Sequence, residues 1–213
     1  NIFCVGSSSK LFVAIEEKLR KKFGTIFKYS SKQFPDYANL VREISKALLR
    51  AEPVTIVFFN GITDTSAFYG MNEEDIRLVT EVNFLTPICI TNQILASHPT
   101  SKITFIYLTS TRATKGDRGC AMYSATKSGL EGFARCLAIE YGQFGPLFQT
   151  LSLGFTEVGL AENIDQSLKM RLVAKAAVPK FVDLNRVADA IYFLSGNESL
   201  TGSVLNCDNG LRC

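Results

Sequence analysis

The chain has few of the residues on which many hydrolytic and metal sites depend. Among its 213 residues there is a single histidine, His98, in a polar SHPTS segment. A histidine-based triad would have only this base, and no GxSxG motif accompanies it. The six cysteines form no CxxC pair, and several lie in apolar runs where cysteine behaves as a small hydrophobic residue. We therefore expect no histidine-based hydrolase, no metal site and no disulfide framework, and a reducing cytoplasm.

Long apolar runs and blocks of one charge are also missing. No run reaches the length of a membrane span, and no cleavable signal pattern opens the chain, since residues 1–6 look like a strand. The 23 basic residues exceed the 20 acidic ones only slightly, and they are scattered except at residues 18–22, which we interpret as a solvated helix face. The sequence thus predicts a cytoplasmic protein with no membrane or nucleic-acid partner.

Two kinds of segment alternate along the chain. Predicted strands, rich in β-branched and aromatic residues, cover residues 2–5, 25–29, 54–59, 103–108, 148–153 and 203–207. Stretches with helical periodicity lie between them. The strands are almost continuously apolar, as expected when helices cover both faces of a parallel sheet. We predict an α/β fold, a Rossmann-like doubly wound parallel sheet with helices on both faces, in a single domain of residues 1–213.

A sheet of this kind binds ligands beyond the carboxyl ends of its strands. The segments that leave those ends are polar or contain glycine. They cover residues 6–11, 30–36, 60–64, 109–112 and 154–160. We expect them to line a common cleft.

The motif YSATK places Tyr123 and Lys127 on one face of a predicted helix. A free tyrosine has a pKa of about 10, too high for ready proton exchange at neutral pH. A nearby ammonium group favours the phenolate and lowers this pKa, so that the pair could act as a general acid or base. Because Tyr-x-x-x-Lys also occurs by chance, a surface pair on a helix is the alternative interpretation.

Two further polar residues stand out. Ser110 ends a predicted strand thirteen residues before Tyr123, which places a hydroxyl where it can hold a substrate carbonyl oxygen. Asn83 lies in the otherwise apolar stretch EVNFLTP. An amide buried there without partners costs roughly 1–3 kcal/mol. It is either a core amide bonded to backbone or part of a helix kink that holds a water in a proton relay.

Together, Asn83, Ser110, Tyr123 and Lys127 have the identities and spacings of the tetrad of the short-chain dehydrogenase/reductase family, which the sequence resembles. Residues 56–62 are similar to the strand that ends in the family's Asn-Asn-Ala-Gly turn. Two further segments continue the resemblance toward the carboxyl terminus. Residues 151–160 are similar to the family's Pro-Gly segment, and residues 199–211 closely resemble its closing strand. From residue 54 onward the matches occur in the family's order.

This resemblance implies hydride transfer between NADP or NAD and a carbonyl/alcohol substrate. Tyr123 would be the general acid/base, Ser110 would orient the oxygen, Lys127 would lower the pKa of Tyr123 and hold the nicotinamide ribose, and Asn83 would position the relay water. The implied cofactor-binding residues are Gly6, Ser7, Ser8, Ser9, Lys10, Leu11, Asn60, Gly61, Tyr123, Lys127, Gly154 and Thr156.

The first turn departs from the family's Thr-Gly-x-x-x-Gly-x-Gly pattern, because Lys10 and Phe12 stand at the second and third glycine positions. Those glycines normally allow close approach to the pyrophosphate and close helix–strand packing. Two interpretations remain open. Residues 7–9 and Lys10 could hold phosphate at a helix N-terminus, or Phe12 could fill the groove and abolish dinucleotide binding.

The amino-terminal half is also short. One helix, roughly residues 37–51, separates the second and third predicted strands, so one βα unit of the family, which helps to build the adenine pocket, is expected to be missing. No acidic residue directly ends the second strand. Lys28 and Lys32 could meet a 2′-phosphate, although we favour solvated lysines.

Smaller departures also fall on the cofactor side. Phe58-Phe59-Asn60-Gly61 replaces the Asn-Asn-Ala-Gly turn, Leu153 replaces a proline, and Val158 stands where a threonine usually contacts the nicotinamide. The tetrad itself is intact.

Residues 158–182 have helical spacing and, by resemblance, form a lid over the substrate. Arg112 and Lys115 could meet an anionic substrate group, although we favour surface charges. The resemblance also implies that the helix that carries Tyr123 packs against its copy in another subunit. Its two apolar sides would support a homodimer or homotetramer.

Our main prediction is an NAD(P)-dependent oxidoreductase. The alternatives are a cofactor-free enzyme of the same fold that catalyses elimination or isomerisation through Tyr123, and a non-catalytic binding subunit with a degenerate cofactor cleft.

Overall fold

The described part of the computed structural model contains six strands in one parallel sheet, in the order β2-β1-β3-β4-β5-β6. The structure describes residues 1–30, 37–50, 52–63, 67–159 and 165–211. The strands are β1 Ile2–Val5, β2 Ile26–Tyr29, β3 Val54–Phe58, β4 Ile103–Ser110, β5 Leu147–Leu153 and β6 Val204–Cys207. Each predicted strand is therefore found, with its ends displaced by at most two residues, and the predicted fold class is confirmed.

The helices follow the strands in alternation. They are α1 Lys10–Lys22, α2 Ala38–Leu49, α3 Glu73–Thr80, α4 Thr86–Ser97, α5 Arg112–Lys115, α6 Ala121–Tyr141, α7 Gln166–Val173 and α8 Leu184–Leu194. A π-helical segment, Glu81–Leu85, joins α3 to α4, and short 3₁₀ turns cover Phe68–Gly70, Gly142–Phe144 and Glu198–Leu200. None of these helices is long and apolar enough to cross a membrane.

The sheet is shorter on its amino-terminal side than a standard doubly wound sheet. That sheet has the order 3-2-1-4-5-6, with three strands on one side of the switch point and three on the other. Here β1 and β2 stand on one side and four strands on the other, because β2 and α2 are the only strand and helix between α1 and β3 among the residues that the structure describes. The predicted lack of one βα unit agrees with this order.

Helices cover both faces of the sheet because alternate strand residues point to opposite sides. On one face, Phe3 and Val5 of β1 pack with residues of α2, α4 and α6. On the other face, Ile2 and Cys4 pack with residues of α1 and α8. All four residues of β1 are fully buried, which explains why its sequence shows no alternation of apolar and polar residues.

Aromatic side chains pair across neighbouring strands on the first face. The three in-register stacked pairs are Phe3 with Phe27, Phe58 with Tyr107 and Phe105 with Phe148, with ring centroids 4.4, 5.1 and 5.2 Å apart. Such pairs contribute about 0.5–1.5 kcal/mol each beyond the burial of their area. Phe58, which departs from the family pattern, is thus a member of this aromatic ladder.

The predicted lid, residues 158–182, is helical only in part. Within its described residues the helix α7 runs from Gln166 to Val173, and Asp165 caps it by accepting from the backbone N–H of Ser167 and Leu168. After α7 the chain is tied to the carboxyl-terminal turn, since the N–H of Val178 donates to the carbonyl of Asn209. Leu160 and Ile164, which carried part of the predicted periodicity, lie outside the described residues.

Candidate active site

A cleft of about 600 Å³ opens at the carboxyl ends of β1, β3, β4 and β5. Four of the five predicted loop segments contribute to it, whereas residues 31–36 of the fifth lie outside the described part of the chain. The predicted site residues that line it are Ser8, Ser9, Lys10, Leu11, Asn60, Gly61, Ser110, Tyr123, Lys127, Gly154 and Thr156. The remaining predicted residues, Gly6, Ser7 and Asn83, are not among its lining residues.

Tyr123 lies in the first turn of α6, facing the end of β4. Its side chain is 7% exposed and hydrogen-bonds to Ser110, the last residue of β4. Burial raises the pKa of Tyr123, while the hydrogen bond from Ser110 and the charge of Arg112 lower it, and the net direction is upward. At neutral pH the phenol is therefore protonated in the unliganded protein and can give a proton to a ligand in the cleft.

Lys127 lies one helical turn after Tyr123 and is 3% exposed. Its Nζ donates to the backbone carbonyls of Asn60 and Leu108, at 2.7 and 3.0 Å, and lies 5.9 Å from the centroid of the Tyr123 ring. Burial lowers the pKa of Lys127 to about 7. The alternative interpretation, a pair on the helix surface, is wrong, because both side chains are buried beside the cleft.

The effect expected of Lys127 on its neighbour stays a prediction. In the unliganded protein the groups that favour the phenolate are Ser110 and Arg112. Lys127 loses part of its charge near neutral pH, since its own pKa is about 7.

Asn83 sits in the π-helical segment between α3 and α4 and is fully buried. Its side-chain amide forms two hydrogen bonds with the backbone of Ile62. The Oδ1 accepts from the N–H of Ile62 and the Nδ2 donates to its carbonyl, each at 2.9 Å. Its Nδ2 also donates to Thr126 Oγ1 at 3.3 Å. The side chain is therefore a core amide satisfied mainly by backbone, within a distorted helix of the kind found at functional sites. Its role in a water relay stays a prediction.

The turn after β1 needs glycine at its first position. Gly6 has a φ of +82°, and a Cβ there would lie 2.9 Å from the backbone nitrogen of Asn60. The turn brings Ser9–Leu11, at the N-terminus of the 13-residue helix α1, to the cleft. The first turn of α1 contains no acidic residue, and Ser9 makes no side-chain cap. Helix N-termini of this kind attract anions, because their first N–H groups lack intrahelical partners.

Phe12 does not fill the groove. Its ring is 1% exposed, is absent from the lining of the cleft, and packs edge-on against Phe59 with centroids 5.3 Å apart. Both residues depart from the family pattern, and they occupy the same space between α1 and the sheet. Their aromatic contact replaces the close packing that glycine permits, and the interpretation of Phe12 as a plug is therefore wrong.

Asn60 has a buried amide that the described residues leave unpaired. The residue is 4% exposed and lines the cleft, yet neither its Oδ1 nor its Nδ2 has a hydrogen-bond partner within the described ranges. An unpaired buried amide costs roughly 1–3 kcal/mol. A ligand group that both donates and accepts hydrogen bonds, such as a ribose hydroxyl, would satisfy it.

Arg112 was expected at the surface, but the structure places it in the cleft. Its side chain is 16% exposed, its Nε donates to Asp117 at 3.2 Å, and its guanidinium carbon lies 5.7 Å from the centroid of Phe155. Lys115 instead donates to the carbonyl of Leu211. The position of Arg112 two residues after Ser110, at the end of a central strand, was the signal in the sequence.

The segment after β5 contributes Thr156 and Val158 to the cleft. Both residues line it, and the Thr156 hydroxyl donates to the Val158 carbonyl at 2.8 Å. Gly154, at the start of this segment, approaches Asp208 so closely that a Cβ would lie 2.8 Å from its Cα. The described residues contain no cluster of three or more histidine, cysteine or acidic side chains that could hold a metal ion.

Comparisons with known proteins identify the family to which the chain is similar. A family model described as enoyl-(acyl carrier protein) reductase matches residues 9–212. The acetoacetyl-CoA reductase of Allochromatium vinosum is 29% identical over 192 residues, which cover 87% of this chain and 76% of that protein. The 3-oxoacyl-[acyl-carrier-protein] reductase of Bos taurus is 28% identical over 178 residues, 83% of this chain and 73% of that protein.

A solved structure shows the likeness of the fold. The crystal structure of 3-oxoacyl-[acyl-carrier protein] reductase from Brucella melitensis matches with a TM-score of 0.83 and covers 100% of this chain and 91% of that chain, at 18% sequence identity. Since the family model extends over nearly the whole sequence, the chain belongs to the short-chain dehydrogenase/reductase family of oxidoreductases.

Proposed function

We propose that this protein transfers a hydride between NAD(P)(H) and a carbonyl/alcohol substrate, with Tyr123 as the general acid/base. The observation that carries the proposal is the buried, protonated Tyr123, hydrogen-bonded to Ser110 on the wall of a cleft at the switch point of the sheet. A phenol in this position can exchange a proton with a ligand oxygen.

The residues of the cleft suit a dinucleotide. The N-terminus of α1, with residues 8–11, would hold the pyrophosphate, since it offers N–H groups, hydroxyls and Lys10 to an anion. The unpaired amide of Asn60 would bind a ribose hydroxyl, and Lys127 and Thr156 would lie along the nicotinamide half. When bound, the cofactor supplies or accepts the hydride.

Ser110 and Tyr123 would act on the substrate oxygen. In reduction, the carbonyl oxygen accepts a hydrogen bond from Ser110 and a proton from the Tyr123 hydroxyl, so that hydride and proton together convert C=O to CH–OH. In oxidation, the phenolate of Tyr123 takes the proton of the alcohol. At neutral pH the raised pKa of Tyr123 keeps the phenol protonated, which is the form that reduction requires.

NADP and NAD both remain candidates for the cofactor. Lys28, one of the two lysines considered for a 2′-phosphate, forms an ion pair with Glu16 of α1 at 3.2 Å and is half exposed. This pairing agrees with the interpretation of Lys28 as a solvated lysine. Lys32, the other lysine, lies outside the described residues.

The substrates named for the relatives, acetoacetyl-CoA and 3-oxoacyl groups on acyl carrier protein, place 3-oxoacyl compounds first in a substrate screen. The cofactor-free enzyme and the non-catalytic subunit remain as alternatives. Both were suggested mainly by the changed glycine turn, and the burial of Phe12 away from the cleft removes the strongest support for a blocked site.

We also propose that the protein forms a homodimer or homotetramer and works in the cytoplasm. The support for assembly lies on the outer surface of α4 and α6, where Ile139 is exposed and a groove lies between Leu95, Phe133 and Leu137. Measurement of the molar mass in solution by light scattering would test the oligomeric state.

The experiment that tests the proposed function compares wild type with Tyr123→Phe. Wild type should oxidise NADPH or NADH in the presence of a carbonyl substrate from the screen. The variant should be slower in kcat by about 10²–10⁴, the usual contribution of a general acid, while its cofactor affinity stays nearly the same. Equal rates for the two proteins would remove Tyr123 from the mechanism.

A further inference from the structure

The charged side chains that line the described part of the cleft are all basic. Its charged lining residues, among those the structure describes, are Lys10, Arg112 and Lys127, with no aspartate or glutamate. Lys10 lies at the end where we place the pyrophosphate. The ammonium group of Lys127 donates hydrogen bonds to two backbone carbonyls. Arg112 is thus the cation that remains on the substrate side, beside Tyr123.

Arg112 is held in a fixed orientation. Its backbone N–H donates to Ser110 Oγ at 3.3 Å, its Nε donates to Asp117, and its guanidinium lies over the Phe155 ring. Its two terminal nitrogens, Nη1 and Nη2, donate to no acceptor within the described part of the chain. A guanidinium with one edge occupied still offers two parallel N–H groups, the arrangement that binds a carboxylate in bidentate fashion.

We propose that the substrate is an oxo acid, and that Arg112 binds its carboxylate while Ser110 and Tyr123 hold the carbonyl oxygen. The inference rests on the proposed function, since it takes the reacting carbonyl to be the group beside Tyr123. It differs from the activities named for the relatives, in which the carbonyl belongs to a thioester-linked acyl chain.

Binding of a carboxylate at Arg112 would also affect proton transfer. Arg112 lowers the pKa of Tyr123 through its charge. A bound carboxylate offsets that charge, so Tyr123 stays protonated until the oxyanion develops on the reduced carbonyl. The same residue would thereby select the substrate and keep the general acid in its active form.

The test uses pairs of substrates that differ only in charge. Pyruvate, acetoacetate and levulinate place a carboxylate at three distances from the ketone, and each is compared with its methyl ester. Binding is measured by calorimetry with wild type and with each variant, with and without NADPH, and kcat/KM is measured for each compound. The variants are Arg112→Gln and Arg112→Lys, with Arg118→Gln, an exposed arginine of the same loop, as the matched control.

We expect wild type to prefer at least one acid over its ester by about 10- to 100-fold, the range of a charge-assisted hydrogen bond. Arg112→Gln should lose the preference, so that the ratio of kcat/KM for the acid to kcat/KM for its ester falls to about one. Arg112→Lys should keep part of this ratio, and Arg118→Gln should keep all of it. Equal use of acid and ester by wild type, or a preference that survives in Arg112→Gln, would overturn the inference. Arg112-dependent binding of the acid without NADPH-linked turnover would instead reject the proposed function alone.

Discussion

Replacement of Lys127 by methionine should change how the stability of the protein depends on pH. The two side chains are similar in length, but methionine does not titrate. Lys127 is 3% exposed, and burial lowers its pKa from 10.5 to about 7. Between these two values the unfolded chain binds a proton at Lys127 and the folded protein does not. The free energy of unfolding of wild type must therefore rise with pH across this range, relative to the variant.

The size of the effect follows from the two pKa values. Each pKa unit corresponds to about 1.4 kcal/mol, so the whole range from the folded to the unfolded value amounts to about 5 kcal/mol. Between pH 7 and pH 9 the expected change is about 2 kcal/mol. The cost of burying the charge is fully present below pH 7, decreases above it, and is lost near pH 10.5.

The assay is urea unfolding of both proteins at closely spaced pH values. The quantity of interest is the difference in unfolding free energy between wild type and Lys127→Met, which should move in favour of wild type by about 2 kcal/mol from pH 7 to pH 9. Lys21→Met, which removes an exposed lysine of α1, controls for the loss of one positive charge. Parallel curves for wild type and Lys127→Met would refute the argument that burial holds this lysine partly neutral.

Three further predictions concern the cleft. Phe12→Leu should lower the free energy of unfolding by about 1 kcal/mol without tightening NADPH binding, because the ring packs in the core, and tighter binding in calorimetry would restore the idea of a plug. Asn60→Ala should weaken cofactor binding about tenfold while leaving the unliganded protein as stable or more stable in urea, since it removes an unpaired buried amide; a less stable unliganded protein would count against that account. Arg112→Gln should raise the pKa of Tyr123 and move the alkaline fall of the reductive kcat/KM to higher pH, and an unchanged pH profile would show that the guanidinium charge does not reach the phenol.

The sheet could be predicted from the sequence because its strands are buried on both faces. Continuous apolar runs such as those of β1 and β3 allow few alternatives, and the motifs at their carboxyl ends located the cleft. For Asn83 the sequence left two interpretations open, a core amide bonded to backbone and a helix kink. The structure combines them, since Asn83 pairs with the backbone of Ile62 within a π-helical segment between α3 and α4.

The site residues that the sequence left open or misplaced depend on contacts distant in sequence. Whether Phe12 enters the groove depends on Phe59, which lies on another strand and provides the space for its ring. The burial of Arg112 depends on Phe155, from the loop after β5. The unpaired amide of Asn60 could not be inferred from the sequence either, because the groups that surround a buried side chain depend on the fold.

The central claim, that a dinucleotide binds at the altered turn and serves a hydride transfer at Tyr123, is tested most directly by calorimetric titration of the wild-type protein with NADPH and with NADH. The account predicts saturable binding of at least one of them, because residues 8–11 and Asn60 offer an anion site and an unpaired amide in the same cleft. Absence of binding of both cofactors at millimolar concentration would contradict it and would point to chemistry at Tyr123 that needs no nicotinamide.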